Sequence, residues 1–167
     1  MQFTIDPKDT INSINQGLHT FITKDWDEED TLDVYCVFDY NRVNEFFKEY
    51  FPNDQIPYKP IIHLWENPIR NDNKVISING KKGETLYCSY DVFIVIDENI
   101  PDTERKKNIL NRLASELKYK IDNYANRELG FKNISLTMSE GYSGKNADNL
   151  YSIKQRLSFR VFREMNS

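Results

Sequence analysis

Residues 84–97 read ETLYCSYDVFIVID, with Leu86, Cys88, Tyr90, Val92, Ile94 and Ile96 on one face of a strand. Phe93 and Val95 make its second half apolar on the other face too, which predicts a central strand rather than an exposed edge. Pro101 and Asp102 then interrupt the pattern, with Asp102 placed to accept from the first free N–H groups of a helix. In the stretch 103–124, Ile109, Leu113, Leu117, Ile121 and Tyr124 recur every three or four residues, with Leu110 and Ala114 beside them. That spacing predicts a helix of about six turns with one apolar stripe. A strand and a helix patterned in this way bury their apolar faces by packing on each other, so the pair is the expected core.

The length of 167 residues fits a single domain with a core of its own. An apolar share of 39% against 29% charged residues excludes a disordered chain. A net charge of −4 lacks the basic excess that marks a nucleic-acid binder. Ten Tyr and ten Phe exceed what a minimal core needs, which directs some of them to contacts with partners. Cys36 and Cys88 each sit inside an apolar strand-like run and read as small buried hydrophobes. Residues 1–7 have neither the basic nor the apolar region of a secretory signal, and no apolar run reaches membrane-spanning length. Folding in a reducing cytoplasm is the expectation.

Before the central block, Asp6 and Pro7 read as the cap and first position of a helix over residues 6–23. Its stripe is Ile11, Ile14, Leu18, Phe21 and Ile22; Gly17 allows close packing, and His19 lies off the stripe. Residues 25–33 (DWDEEDTLD) carry six carboxylates around Trp26 without the glycine and terminal glutamate of an EF-hand, and read as a solvated acidic loop. A short strand (32–38) and a short aromatic helix (41–51) with Phe46, Phe47 and Tyr50 follow. After three prolines, residues 61–65 (IIHLW) read as a strand in which His63 points away from Ile62 and Leu64 and is half exposed. Residues 71–83 read as a β-hairpin arm turning at Asn79-Gly80.

Beyond the long helix, Gly130 is a C-cap. Ile134, Leu136 and Met138 alternate with polar residues as in an amphipathic strand, and residues 141–149 read as a loop. The last strand, 151–164, has Ile153, Leu157, Phe159 and Val161 on its core face, with Lys154, Arg156 and Arg160 opposite. The fold class is α+β: a mostly antiparallel sheet of about four main strands with two helices on one face, plus the arm and the aromatic helix. Residues 25–60 read as an insertion and the whole chain, 1–167, as one domain.

Catalytic and metal-binding patterns are missing from the sequence. His19 and His63 are the only histidines, and neither lies at metal-ligand spacing from a cysteine or an acid pair. Gly141 to Lys145 (GYSGK) has the wrong spacing for a phosphate loop and joins two strands, where a phosphate cradle opens a helix. No catalytic residue, cofactor or metal is assigned.

From Ser77 onward a polar turn (NGKKGET), a long strand (LYCSYDVFIVID), a Pro-Asp linker (ENIPDTE), a long helix and the segment LTMSEGYSGKNADNLYSIKQRLSFRVFREM follow one another. In this order and pattern the second half of the chain resembles the tail terminator proteins of long-tailed bacteriophages, the family typified by the lambda terminator. Residues 6–23 and 61–65 match the helix and strand that open such proteins, whereas residues 25–60 exceed the compact members. The resemblance implies a homo-oligomeric ring, generally a hexamer, in the neck of a virion assembled in the host cytoplasm. Such a ring binds the last ring of tail tube protein, ends polymerisation, and presents the surface on which the head-completion or connector protein docks. Genomic DNA passes through its lumen, and no membrane is involved. The expected contacts are the arm (Ile76, Ile78, Lys81, Lys82), the aromatic helix (Phe46, Phe47, Tyr50) and the final loop (Tyr142, Lys145, Asp148). Three competing readings are another neck or tail-completion protein, a non-viral oligomeric binding module, and a nuclease or hydrolase using the carboxylates of residues 25–33 with a metal.

Overall fold

The computed structural model describes residues 3–24, 26, 35–38, 61–72, 74–97, 103–137, 142–145 and 150–165. In chain order these form α1 (Thr10–Thr23), β1 (Tyr35–Val37), β2 (Ile61–Glu66), β3 (Arg70–Asn71), β4 (Ile76–Ile78), β5 (Lys81–Asp97) and α2 (Thr103–Lys120). A π-helical turn (Ile121–Ala125) and a last helical turn (Asn126–Leu129) continue α2; then come β6 (Lys132–Leu136), β7 (Tyr142–Lys145) and β8 (Leu150–Glu164). The fold is α+β, with one mostly antiparallel sheet and helices packed on its apolar face.

The doubly apolar run is indeed the central strand. β2, β3 and β4 pair in succession along one edge of β5, and β8 pairs along the other over its whole length. β1 adds a parallel strand outside β2, while β6 and β7 share the far edge of β8. On the inner face Leu86, Cys88, Tyr90, Val92, Ile94 and Ile96 are buried, as are Ile62, Leu64, Ile153, Leu157, Phe159 and Val161. From α2 come Ile109, Leu110, Leu113, Ala114 and Leu117, and from α1 Ile14, Leu18, Phe21 and Ile22. At about 1.5–3 kcal/mol per large buried aliphatic side chain, these stripes outweigh differences in intrinsic helix propensity of under about 1 kcal/mol. An aromatic file crosses the same face: Phe131 stacks on Phe159 at 4.4 Å, Phe159 on Tyr90 at 6.0 Å, and Phe3 meets Phe131 edge-on at 5.8 Å.

Several local expectations are corrected. Helix α1 starts at Thr10, because Asp6 is used up in a turn in which its Oδ1 accepts from the Lys8 N–H and its carbonyl from the Asp9 N–H. Ile11, on that first turn, is 48% exposed. The stripe of the long helix ends on Ala125 and Leu129, not on Tyr124, which is 38% exposed. Leu113, Leu117, Ile121, Ala125 and Leu129 form a buried file spaced by four, and each such step oversteps an α-helical turn by about 40°. The wider π-helical turn over Ile121–Ala125 absorbs that drift and keeps Leu129 on the sheet.

His63 is fully buried instead of half exposed: Ile61 to Leu64 are all buried, so this end of β2 is covered on both faces of the sheet. The stretch expected as a loop at 141–149 contains β7, paired with β8. Other expectations hold. Asn79 and Gly80 take φ of 51° and 76° between β4 and β5, and Gly130, at φ 69°, returns its N–H to the Asn126 carbonyl at 2.8 Å. Gly17 is buried against the Phe3 ring, which a Cβ would approach to 2.8 Å. The N-cap role of Asp102, the acidic residues 27–33, the aromatic helix and Met138 lie outside the described residues.

Candidate interaction surfaces

The inner face of the sheet is sealed, and its titratable groups are held neutral. Burial raises the thiols of Cys36 and Cys88 from 9.0 to about 12, and neither is in a disulfide. The Tyr90 hydroxyl is likewise pushed up, first by burial and then by the nearby Glu66 and Cys88. It donates to Asn15 Oδ1 at 2.6 Å, and the Asn15 amide donates to Glu66. This chain ties α1 to β2 and β5. A groove of about 480 Å³ opens beside it, lined by Ile11, Glu66, Asn67, Ile69 and Ser89 among others.

Among the described residues Lys120 is a buried amine. It is 6% exposed, yet its ammonium donates to the Phe21 carbonyl at 3.4 Å and to the Lys24 carbonyl at the end of α1. The same nitrogen lies 4.6 Å from the Trp26 ring centroid and 5.6 Å from that of Phe21. A cation there satisfies carbonyls that the last turn of a helix leaves without partners. The role is structural: it locks the C-terminus of α1 to the end of α2. A second, more open groove beside α1 is lined by Phe3, Gln16, Thr20, Lys24, Arg127 and Glu128, the last bridged to Lys24 at 2.9 Å.

The outer face is different. Register places Arg70, Tyr87, Arg160 and Lys132 in one row across four strands, because Arg70 pairs with Tyr87, Tyr87 with Arg160, and Arg160 with Lys132. Farther along, Trp65 pairs with Asp91, Asp91 with Arg156, and Phe93 with Lys154. Asp91 bridges Arg156 at 3.3 Å and reaches Lys154 at 4.0 Å. The Arg160 guanidinium lies 5.1 Å from the Tyr87 ring centroid, and Trp65 is 47% exposed.

At one end of β5 the hairpin of β4 and β5 carries Ile76 and Ile78, both half-buried, with Val75 exposed beside them. Lys81 and Lys82 are exposed, and Lys81 makes an exposed ion pair with Glu164 at 3.7 Å. Gly83 sits where this hairpin meets β8, so close that a Cβ would fall 2.3 Å from the Arg163 carbonyl oxygen and 2.5 Å from the Phe162 ring.

Of the residues expected to contact partners, Ile76, Ile78, Lys81 and Lys82 are thus gathered on one hairpin. Tyr142 and Lys145 begin and end β7, opposite Ile153 and Tyr151 of β8. Phe46, Phe47, Tyr50 and Asp148 lie outside the described residues. The cationic row escapes a strand-by-strand reading: Lys154, Arg156 and Arg160 alternate visibly in sequence, but Arg70 and Lys132 join them only through pairing. Among the described residues no three His, Cys, Asp or Glu side chains converge as metal ligands, and no helix is long and apolar enough to cross a membrane. Neither a known protein-family model nor a curated protein sequence matches the chain.

Proposed function

We propose that the chain is a structural virion protein that caps the tail tube of a long-tailed phage, ends tube polymerisation and forms the surface joining head to tail. The reading rests on the resemblance of its second half to tail terminators, and the α+β fold is compatible with it. The observation that carries it furthest is the hairpin of β4 and β5. Val75, Ile76 and Ile78 are not enclosed by the core, and two exposed lysines stand at its tip. A hairpin with unburied apolar side chains suits a subunit that completes its packing against a neighbouring copy, as in a closed ring. In this reading the tube protein and a head-completion protein are the further partners, and the protein works by fit, with no catalytic residue.

The test is the double substitution Lys81→Glu with Lys82→Glu. The Lys81–Glu164 pair is exposed and worth about 0–1 kcal/mol, so the folded subunit tolerates the change. Assembly of purified protein into rings, seen by sizing and negative-stain imaging, is expected to weaken, and so is head–tail joining. Unchanged tail length and infectivity would remove the hairpin from the model. Deletion of the protein is expected to yield overlong tubes; tails of normal length that fail to join heads would favour another neck protein.

A further inference from the structure

We infer that the outer face of the sheet binds single-stranded nucleic acid, a role that stands independently of the tail reading. Its first support is the row Arg70–Tyr87–Arg160–Lys132. Like charges directly opposite on neighbouring strands destabilise a sheet, and Lys132 faces Arg160 in register. All three cations of the row are exposed, and among the described residues none of them pairs with a carboxylate. The arrangement therefore has a standing electrostatic cost that a bound polyanion relieves. It is also local, because the chain as a whole carries a net charge of −4.

The second support is the placement of aromatic rings among the charges. Tyr87 lies inside the row with the Arg160 guanidinium against its ring, and the exposed Trp65 of β2 lies on the same sheet face opposite Asp91, two outward-facing positions along β5 from Tyr87. Guanidinium and aromatic planes present π surfaces on which unstacked bases sit, while the same cations take the phosphates. The outer face is buried at Ile61, His63 and Val95, but exposed where the cations of the row and Trp65 lie. Neighbouring strands are about 4.8 Å apart and alternate residues of a strand about 6.7 Å, so these groups form a grid across that exposed part. A duplex hides its bases and would engage the charges alone. An acidic protein segment would likewise use the charges and leave the rings without a role.

The experiment is fluorescence anisotropy of the full-length protein with end-labelled oligo(dT), with a duplex of equal length and polyglutamate as competitors. Oligo(dT) is expected to bind with log K falling against log salt at a slope of about −2, three phosphates at about −0.7 each. Lys132→Ala should reduce that slope by about 0.7. Tyr87→Leu should leave the slope unchanged and weaken binding by about tenfold, the loss of one stacked base. Arg160→Lys, which keeps the charge and gives up the planar stack, should lose affinity without losing slope. Thermal melts of each variant establish that the sheet is intact. No binding at low salt would overturn the inference. So would duplex or polyglutamate competing as well as oligo(dT) while Tyr87→Leu has no effect, the latter outcome assigning the face to an acidic protein.

Discussion

Replacing Lys120 by Met tests how the two helices are held together. Met keeps most of the aliphatic stem, so the packing against Phe21 and Trp26 is largely retained and no large cavity opens. What is lost is an ammonium that donates to the Phe21 and Lys24 carbonyls and sits on two aromatic rings. Hydrogen bonds from a charged donor contribute about 1.5–3 kcal/mol each, and a desolvated cation–π contact up to about 2 kcal/mol. Against this stands the desolvation of the ammonium in a residue only 6% exposed, which the substitution refunds and which offsets part of the gain. The two carbonyls decide the sign, because among the described residues no other side chain donates to them. A net loss of about 2–4 kcal/mol is expected, a large share of the 5–15 kcal/mol typical of a domain. Equilibrium urea unfolding reads it as a lower midpoint with an unchanged slope. A Met variant as stable as the parent protein, within about 0.5 kcal/mol, would refute the argument and make Lys120 a buried charge that folding merely tolerates.

Gly83→Ala is expected to cost about 1–3 kcal/mol in the same assay, because its Cβ meets backbone at Arg163 and the ring of Phe162. Gly17→Ala is expected to change stability by less than about 1 kcal/mol: the clash is with the Phe3 ring alone, and the gain in helix propensity offsets it. Native Cys36 and Cys88 are expected to resist a thiol reagent at mildly alkaline pH and to react on unfolding. Since both thiols are raised from 9.0 to about 12, their protonated forms support folding fully below pH 9, and that support is lost as pH rises toward 12. The urea midpoint should therefore fall over that window, with Tyr90 acting in the same direction. An unchanged midpoint from pH 8 to pH 11 would contradict the burial of these groups.

Periodicity alone determined the body of the protein. The alternation of Leu86 to Ile96 and of Ile153 to Val161, and the stripe from Ile109 to Ile121, each depend on residues within one element, so the strand, its neighbour and the covering helix could be placed without coordinates. The same holds for Asn79-Gly80 and Gly130, where the backbone enters the left-handed region that these residues tolerate. Tertiary structure decided whatever depends on partners distant in the chain. His63 is buried because the outer face of the sheet is covered at that end, where Ile61 and Val95 are buried too, and Ala125 displaces Tyr124 from the core because the helix must stay on the sheet through a π-helical turn. Arg70, Arg160 and Lys132 share a row only because three separate pairings set their registers. A shift of one residue in any of those ladders would turn a cation to the opposite face and dissolve the row, and no local pattern carries that information.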